Sequence, residues 1–268
     1  MQQSNSIYLS AGFGDFLAYE RFFPQEYKDN ELIIYFATRS LDLISKVVEK
    51  LGNYKKIVMI DLMHSDDGED KYKEYKWFNS LLEFRYYNLY KGYKMNYDLT
   101  GVVDWSMMSN IKNLFTKYKE NPSSLLCNKF CGIEKFNLPP KYIILQGKTS
   151  KYGYNISRYF NENDMVNINR YLESNNIFGV IVGEDDPIYS GENIINLCGK
   201  TNILESIEIA KNAVGAVVLD SWLSVLAAQL FKDKLLKIKS YSAALKFQTL
   251  NTYYGLVNND IIVNKIEF

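Results

Sequence analysis

Residues 199–228 restrict the possible fold more than any other part of the chain. The first half, 199–213, reads as an amphipathic helix. Ile203, Ile207, Ala210 and Val214 fall on one face, and Glu205, Glu208 and Lys211 fall elsewhere. The second half opens with a short apolar strand, 216–219, that runs into Asp220-Ser221. A further apolar run, 223–230, follows. Asp220 and Ser221 therefore stand where a buried strand meets a helix N-terminus. In open α/β sheets ligands bind at that edge, and the amides of a helix N-terminus attract anions. Taken alone, the stretch is half of a nucleotide-phosphate site.

The rest of the chain alternates in the same way. Strands are expected at 7–10, 32–37 and 57–62, each followed by a turn or a helical pattern. The segment 32–37 is apolar throughout, as buried parallel strands are. Between the second and third strands, Leu41, Ile44, Val48 and Leu51 share one helical face. The first strand ends in Ala11-Gly12-Phe13-Gly14-Asp15, where two glycines permit a tight turn, and a helix is expected from Phe16 to Phe23. The second half repeats the scheme. Its strands are expected at 142–146, 179–182, 216–219 and 235–238, and its helices at 163–175, 199–213 and 242–254. Met165, Ile168 and Leu172 face inward in the first of these helices. The alternation predicts an α/β fold with parallel, doubly wound sheets. Phe136-Asn137-Leu138-Pro139-Pro140 is the best linker, stiff and extended. It divides the chain into domains at 1–138 and 139–268, with a cleft expected between them and a tail that returns to the first.

Composition excludes several chemistries. The 268 residues carry 31 basic and 31 acidic side chains, so broad phosphate neutralisation does not drive binding. With a single histidine, His64, there is no His-rich metal site, and no metal is expected. No apolar run of about 18 residues is present, so no spanning helix is expected. The start, Met1-Gln2-Gln3-Ser4, lacks a signal pattern. Cys127, Cys131 and Cys198 suit a reduced compartment, and a cytoplasmic monomer is expected. The acidic loop Asp66-Asp67-Gly68-Glu69-Asp70 lacks calcium-loop spacing and reads as solvated. The Tyr- and Lys-rich segment 71–94 is either an amphipathic helix or the lining of an acceptor groove.

Four motifs resemble the heptosyltransferase-like sugar transferases, glycosyltransferase family 9. The first is Gly12-Phe13-Gly14-Asp15-Phe16-Leu17, similar to that family's Gly-Asp-x-Leu segment. The second is 147–159, similar to a loop that carries hydroxyls and a base beneath a diphosphate. The third is Gly183-Glu184 after a strand. The fourth is 199–228, similar to a Gly-x-Thr/Ser-x-Leu helix followed by Asp-Ser/Thr-Gly-x-x-His. This chain departs from the last motif. Trp222 stands where the family has glycine, and Ser224 or Val225 where it has histidine. The resemblance implies a GT-B fold, with two Rossmann-like domains whose parallel sheets face a central cleft.

It also implies roles. Asp15 is the candidate general base that takes the acceptor hydroxyl's proton, and Gly14 lies beside it on the donor side. As a bare residue, Asp15 also fits an N-cap. Thr149, Ser150 and Arg158 are candidates to hold the leaving diphosphate, with Lys148 and Lys151 competing for the basic role. Glu184 is the candidate for the ribose hydroxyls, and Asp185 or Asp186 can replace it. Lys200 and Thr201 would flank the base, with helix capping as the plainer role of Thr201. Asp220 would bind the transferred sugar, or cap a helix. Ser221 and Trp222 complete the donor set, and Trp222 would reshape the pocket or stack on a sugar face.

The expected activity is a metal-independent, inverting sugar transfer from a nucleotide-diphosphate sugar to a hydroxyl, with no other cofactor. The acceptor is a glycan or a lipid-linked sugar. Frequent tyrosine (22) against scarce proline (5) points to an AT-rich source, bacterial or phage. A phage enzyme that glycosylates hydroxymethylated DNA bases is therefore a second candidate, disfavoured by the neutral charge. The departures beside Asp220 leave a catalytically silent nucleotide-sugar-binding module as a third.

Overall fold

The computed structural model describes residues 5–9, 13–14, 17, 31–36, 46–47, 49–50, 56–61, 126, 128–148, 159–184, 189–239, 261–263 and 265–268. The chain divides into two compact units, Met1–Asn128 and Lys129–Phe268. The acidic loop 66–70, the segment 71–94, Cys127 and the expected helix 242–254 lie outside the described residues.

In the first unit β1 (Asn5–Leu9), β2 (Glu31–Phe36) and β3 (Lys56–Asp61) form a parallel sheet in the order β1-β2-β3. Leu9 pairs with Phe36, and Phe36 with Asp61, so the three strands end level. Phe13, Gly14 and Leu17 are helical. The helix after β1 is therefore already formed at Phe13, earlier than the start expected at Phe16, and Gly14 belongs to it rather than to a turn. Phe13 and Leu17, four apart, are both buried on one helical face. Between β2 and β3, Lys46, Val47, Glu49 and Lys50 are helical. Val47 is buried and the three charged residues are exposed, so Val47 belongs to the inward face. Leu41, Ile44, Val48 and Leu51 lie outside the described residues.

The second unit is a parallel sheet in the order β6-β5-β4-β7-β8-β9. Its strands are β4 (Tyr142–Gln146), β5 (Phe178–Val182), β6 (Ile194–Asn196), β7 (Gly215–Leu219), β8 (Leu235–Lys239) and β9 (Ile262–Val263). The helices are α1 (Glu162–Asn175) after β4, α2 (Ile203–Asn212) after β6 and α3 (Trp222–Phe231) after β7. Every residue of β4 and β7 is buried, which explains why both are apolar throughout, save Gln146 at the end of β4. One face of the sheet is covered by α1. Met165, Ile168 and Leu172 pack there against Ile143, Leu145, Ile181, Val217 and Leu219. The alternate residues face the other way. Tyr142 reaches α2 on that side, its hydroxyl donating to the Ile209 carbonyl at 2.8 Å, and burial pushes its phenol up to about 12. Helix α3 packs on β7 and β8.

Each helix starts where a side chain caps it. Asn161 and Asp164 form a reciprocal capping box on α1, Asn202 and Glu205 on α2, and Ser221 and Ser224 on α3. Helix α2 is thus shorter than its apolar pattern implied. It is capped by Asn202, not by Thr201, whose hydroxyl instead lies 3.0 Å from that of Ser206. It also stops before Val214, which is exposed rather than inward-facing. The Val214 amide bonds to the Tyr142 carbonyl at 2.8 Å and so leads the chain into β7.

Glu205 and Glu208, which fall off the apolar stripe of the pattern, are buried too. The segment preceding β4 covers them. Lys135 pairs with Glu205 at 2.5 Å, and the Phe130 amide donates to Glu208 at 3.0 Å. Lys211 bonds to Glu208 at 2.9 Å and lies 5.3 Å from the centre of the Phe130 ring. The Lys135 bond and the Asn202 amide hold the Glu205 carboxyl below the usual range. Cys131 lies in this segment. Burial first, then the Glu208 and Glu205 charges, push its thiol up.

The described tail residues pack within the second unit. β9 pairs with β8, Ile266 is buried in the core, and the Phe268 ring stacks on Tyr171. The Ile266 amide donates to Asp164 at 3.0 Å, and Asp164 also pairs with the buried Lys239.

Candidate functional site

All the strands of the second unit run parallel, so their carboxyl ends share one edge. Gln146 pairs with Val182, and Leu219 with Lys239, which sets the ends of β4, β5, β7 and β8 level. The chain leaves β4 towards β5 and β6, then crosses to β7 on the far side of β4. The strand order therefore reverses between β4 and β7. A crevice outside the carboxyl ends at such a switch point is where open α/β sheets bind ligands. Gln146 and Gly147 stand on one side of it, and Asp220, Ser221 and Trp222 on the other.

These two sides are bonded to each other. The Ser221 hydroxyl donates to Gln146 Oε1 at 2.7 Å and accepts from the Leu223 amide at 3.2 Å and from the Ser224 amide. The Ser221 amide donates to Ser224 Oγ at 3.0 Å, and that hydroxyl donates to the Ser221 carbonyl at 2.5 Å. Ser221 is the N-cap of α3, and the capping role proposed as an alternative for Asp220 is already filled. Asp220 is held through its own backbone, whose amide donates to the Lys239 carbonyl at 3.0 Å. Trp222, the first helical residue, is half-buried.

The loops after β5 and β6 form a second junction at the same edge. Gly183 has φ of +149° and Gly199 has φ of +69°, backbone conformations that favour glycine. The Gly199 amide donates to the Gly183 carbonyl at 2.8 Å, and the Gly147 amide to the Val182 carbonyl at 2.8 Å. A Cβ on Gly199 would lie 3.5 Å from the Glu184 carbonyl, and one on Gly183 would lie 3.7 Å from Gly147. Glu184 is exposed beside this junction. Lys200 follows it, exposed, with its ammonium bonded to the Asn196 carbonyl at 3.0 Å. The structure thus gathers Glu184, Lys200 and Thr201 around one backbone bridge, and Asp220, Ser221 and Trp222 around another.

Gly14 is helical and half-buried in the first unit. Asp15, Thr149, Ser150, Arg158, Lys151, Asp185 and Asp186 lie outside the described residues. Two residues at the edge carry no sequence signal. Gln146 is a lone polar residue at the end of an apolar strand. Lys239 is buried at the end of β8, paired with Asp164 75 positions away. Among the described residues no group of three His, Cys, Asp or Glu side chains clusters to hold a metal, and no helix is long and apolar enough to cross a membrane.

No protein-family model matches the sequence, and no curated protein matches it. Solved structures do match the fold. A family 9 glycosyl transferase from Veillonella parvula DSM 2008 superposes with a TM-score of 0.52 at 9% identity, over 89% of this chain and 80% of that one. The E. coli ADP-heptose LPS heptosyltransferase II superposes with a TM-score of 0.51 at 12% identity, over 89% of this chain and 84% of that one. The parallel α/β architecture of this chain is thus similar in fold to these two solved glycosyltransferases.

Proposed function

We propose that the chain is a glycosyltransferase that moves a sugar from a nucleotide-diphosphate donor to an acceptor hydroxyl, with inversion and without a metal. The observation that carries this reading is the bonded pair of loops at the β4/β7 switch point, in a chain whose fold is that of family 9 transferases. In this reading Asp15 takes the proton of the acceptor hydroxyl as its oxygen attacks the anomeric carbon. The bond from that carbon to the diphosphate breaks, and the nucleoside diphosphate leaves from the opposite face. A positioned base of this kind contributes about 10²–10⁴-fold. Thr149, Ser150 and Arg158 take the developing charge on the diphosphate, Glu184 the ribose, Lys200 and Thr201 the base, and Asp220 the transferred sugar. Trp222, with its indole at the first turn of α3, shapes the sugar pocket.

Release of nucleoside diphosphate from a panel of donor sugars tests this. The wild type should release diphosphate from at least one donor, faster with an acceptor present. Asp15→Asn should cut that release by about 10²-fold or more. No release from any donor, or undiminished release in Asp15→Asn, overturns the proposal.

A further inference from the structure

Gln146 is 6% exposed, and its side chain sits at the carboxyl end of β4 on the sheet face that carries α2 and α3. Its orientation follows from Ser221. That hydroxyl accepts from two helix amides, which fill both lone pairs, so its proton must go to an acceptor. The partner on Gln146 is therefore the carbonyl oxygen Oε1, and Nε2 is turned away from Ser221. Among the described residues nothing accepts from Nε2. A buried amide with two donors and no acceptor carries a desolvation penalty that a ligand oxygen would remove. The amide sits at the switch-point crevice, beside the N-terminus of the ten-residue helix α3, whose dipole favours negative charge there.

We infer that Gln146 is a further ligand-binding residue, whose Nε2 donates to an oxygen of the diphosphate in a nucleoside diphosphate or its sugar ester. This rests on the transferase reading above. Ser221 is then a positioning residue that fixes which end of the Gln146 amide meets the ligand. An amide from β4 and a helix dipole from after β7 would meet the same anion from the two sides of the crevice.

Titration calorimetry on the full chain tests this with UDP, GDP, ADP and CDP and with the four matching nucleosides. The substitutions are Gln146→Met, which keeps the shape and loses the donor, and Gln146→Glu, which keeps an acceptor for Ser221. The best diphosphate should bind about tenfold more weakly to Gln146→Met, as expected for loss of one charge-assisted hydrogen bond, and its nucleoside should bind as before. Gln146→Glu should lose more, since a carboxylate repels the diphosphate. It also reads the ligand effect if Gln146→Met folds poorly. Wild-type affinity for the diphosphate in both variants, or an equal loss for the nucleoside, overturns the role of Gln146 and leaves the transferase reading standing. A wild type that binds none of the four diphosphates removes both.

Discussion

Asp164→Asn should be among the most damaging single substitutions in the second unit. Its carboxylate is 2% exposed and takes three donors: the Asn161 amide at 2.9 Å, the Ile266 amide at 3.0 Å, and Lys239. Lys239 is itself 4% exposed. Asparagine keeps the shape and one acceptor, so it can retain a backbone contact, but it removes the carboxylate charge that faces the buried Lys239 ammonium. Breaking a buried pair in this way costs about 3–5 kcal/mol. The reverse substitution, Lys239→Met, leaves a carboxylate that still accepts two amides, and should cost less, about 1–3 kcal/mol. In the double variant both partners of the direct contact are gone, so the two costs should fall short of adding by at least about 1 kcal/mol. Urea denaturation of the four proteins, followed by fluorescence and by hydrogen exchange at the β8 and β9 amides, measures the cycle. Strict additivity, or a larger loss in Lys239→Met than in Asp164→Asn, would show that the ion pair does not organise this corner of the fold.

Other outcomes follow from particular contacts. Gly199→Ala must hold an L side chain at φ +69°, at a cost of roughly 1–2 kcal/mol, and should weaken nucleotide binding through the Gly183–Gly199 bridge; an unchanged melting temperature and affinity would refute this. The Lys135 contact holds the Glu205 carboxyl below the usual carboxylate range, so its contribution is complete above that range and is lost as pH falls through the lower folded value. The melting-temperature gap between wild type and Glu205→Gln should therefore narrow from pH 6 to pH 3, and a constant gap would remove the Lys135 contact as its source. Ser221→Ala removes a cap and should cost about 1 kcal/mol of stability. Asp220→Asn should reduce sugar transfer, and undiminished transfer would remove the sugar-binding role given to Asp220.

Four of the six strands of the second unit, β4, β5, β7 and β8, were legible because they are short, rich in apolar residues and bounded by glycine or polar residues. The interval 142–146 coincides with β4, and 179–182, 216–219 and 235–238 lie within a residue of β5, β7 and β8, whereas β6 and β9, of three and two residues, were not expected as strands. Helix ends were harder to read, because apolar periodicity ignores which side chain closes the first turn. Asn202 and Glu205, three apart, carry the capping signature, but the apolar pattern continues past the point where Ala213 turns extended. The burial of Glu205 and Glu208 was not legible at all. It depends on the segment around Phe130 and Lys135, about 70 residues away, lying on α2. Gln146 and Lys239 were equally silent. A polar residue at the end of an apolar strand reads as the strand's limit, whereas here both are buried and one belongs to an ion pair.

The dipeptide Asp220-Ser221 shows why a strand end at a switch point can hold both structural and chemical groups. A helix that starts there needs a side-chain acceptor for its first amides, and Ser221 supplies it for Leu223 and Ser224. Its proton is then committed to Gln146, which ties β4 to the start of α3. Asp220 is thereby released from capping, while its backbone amide fixes it to the end of β8 through Lys239. Lys239 is in turn held by Asp164 at the first turn of α1. The carboxyl edge is thus one connected set of contacts from α1 through β8 and β7 to β4. Within it the serine caps the helix, and the neighbouring aspartate is anchored to β8 through its backbone amide.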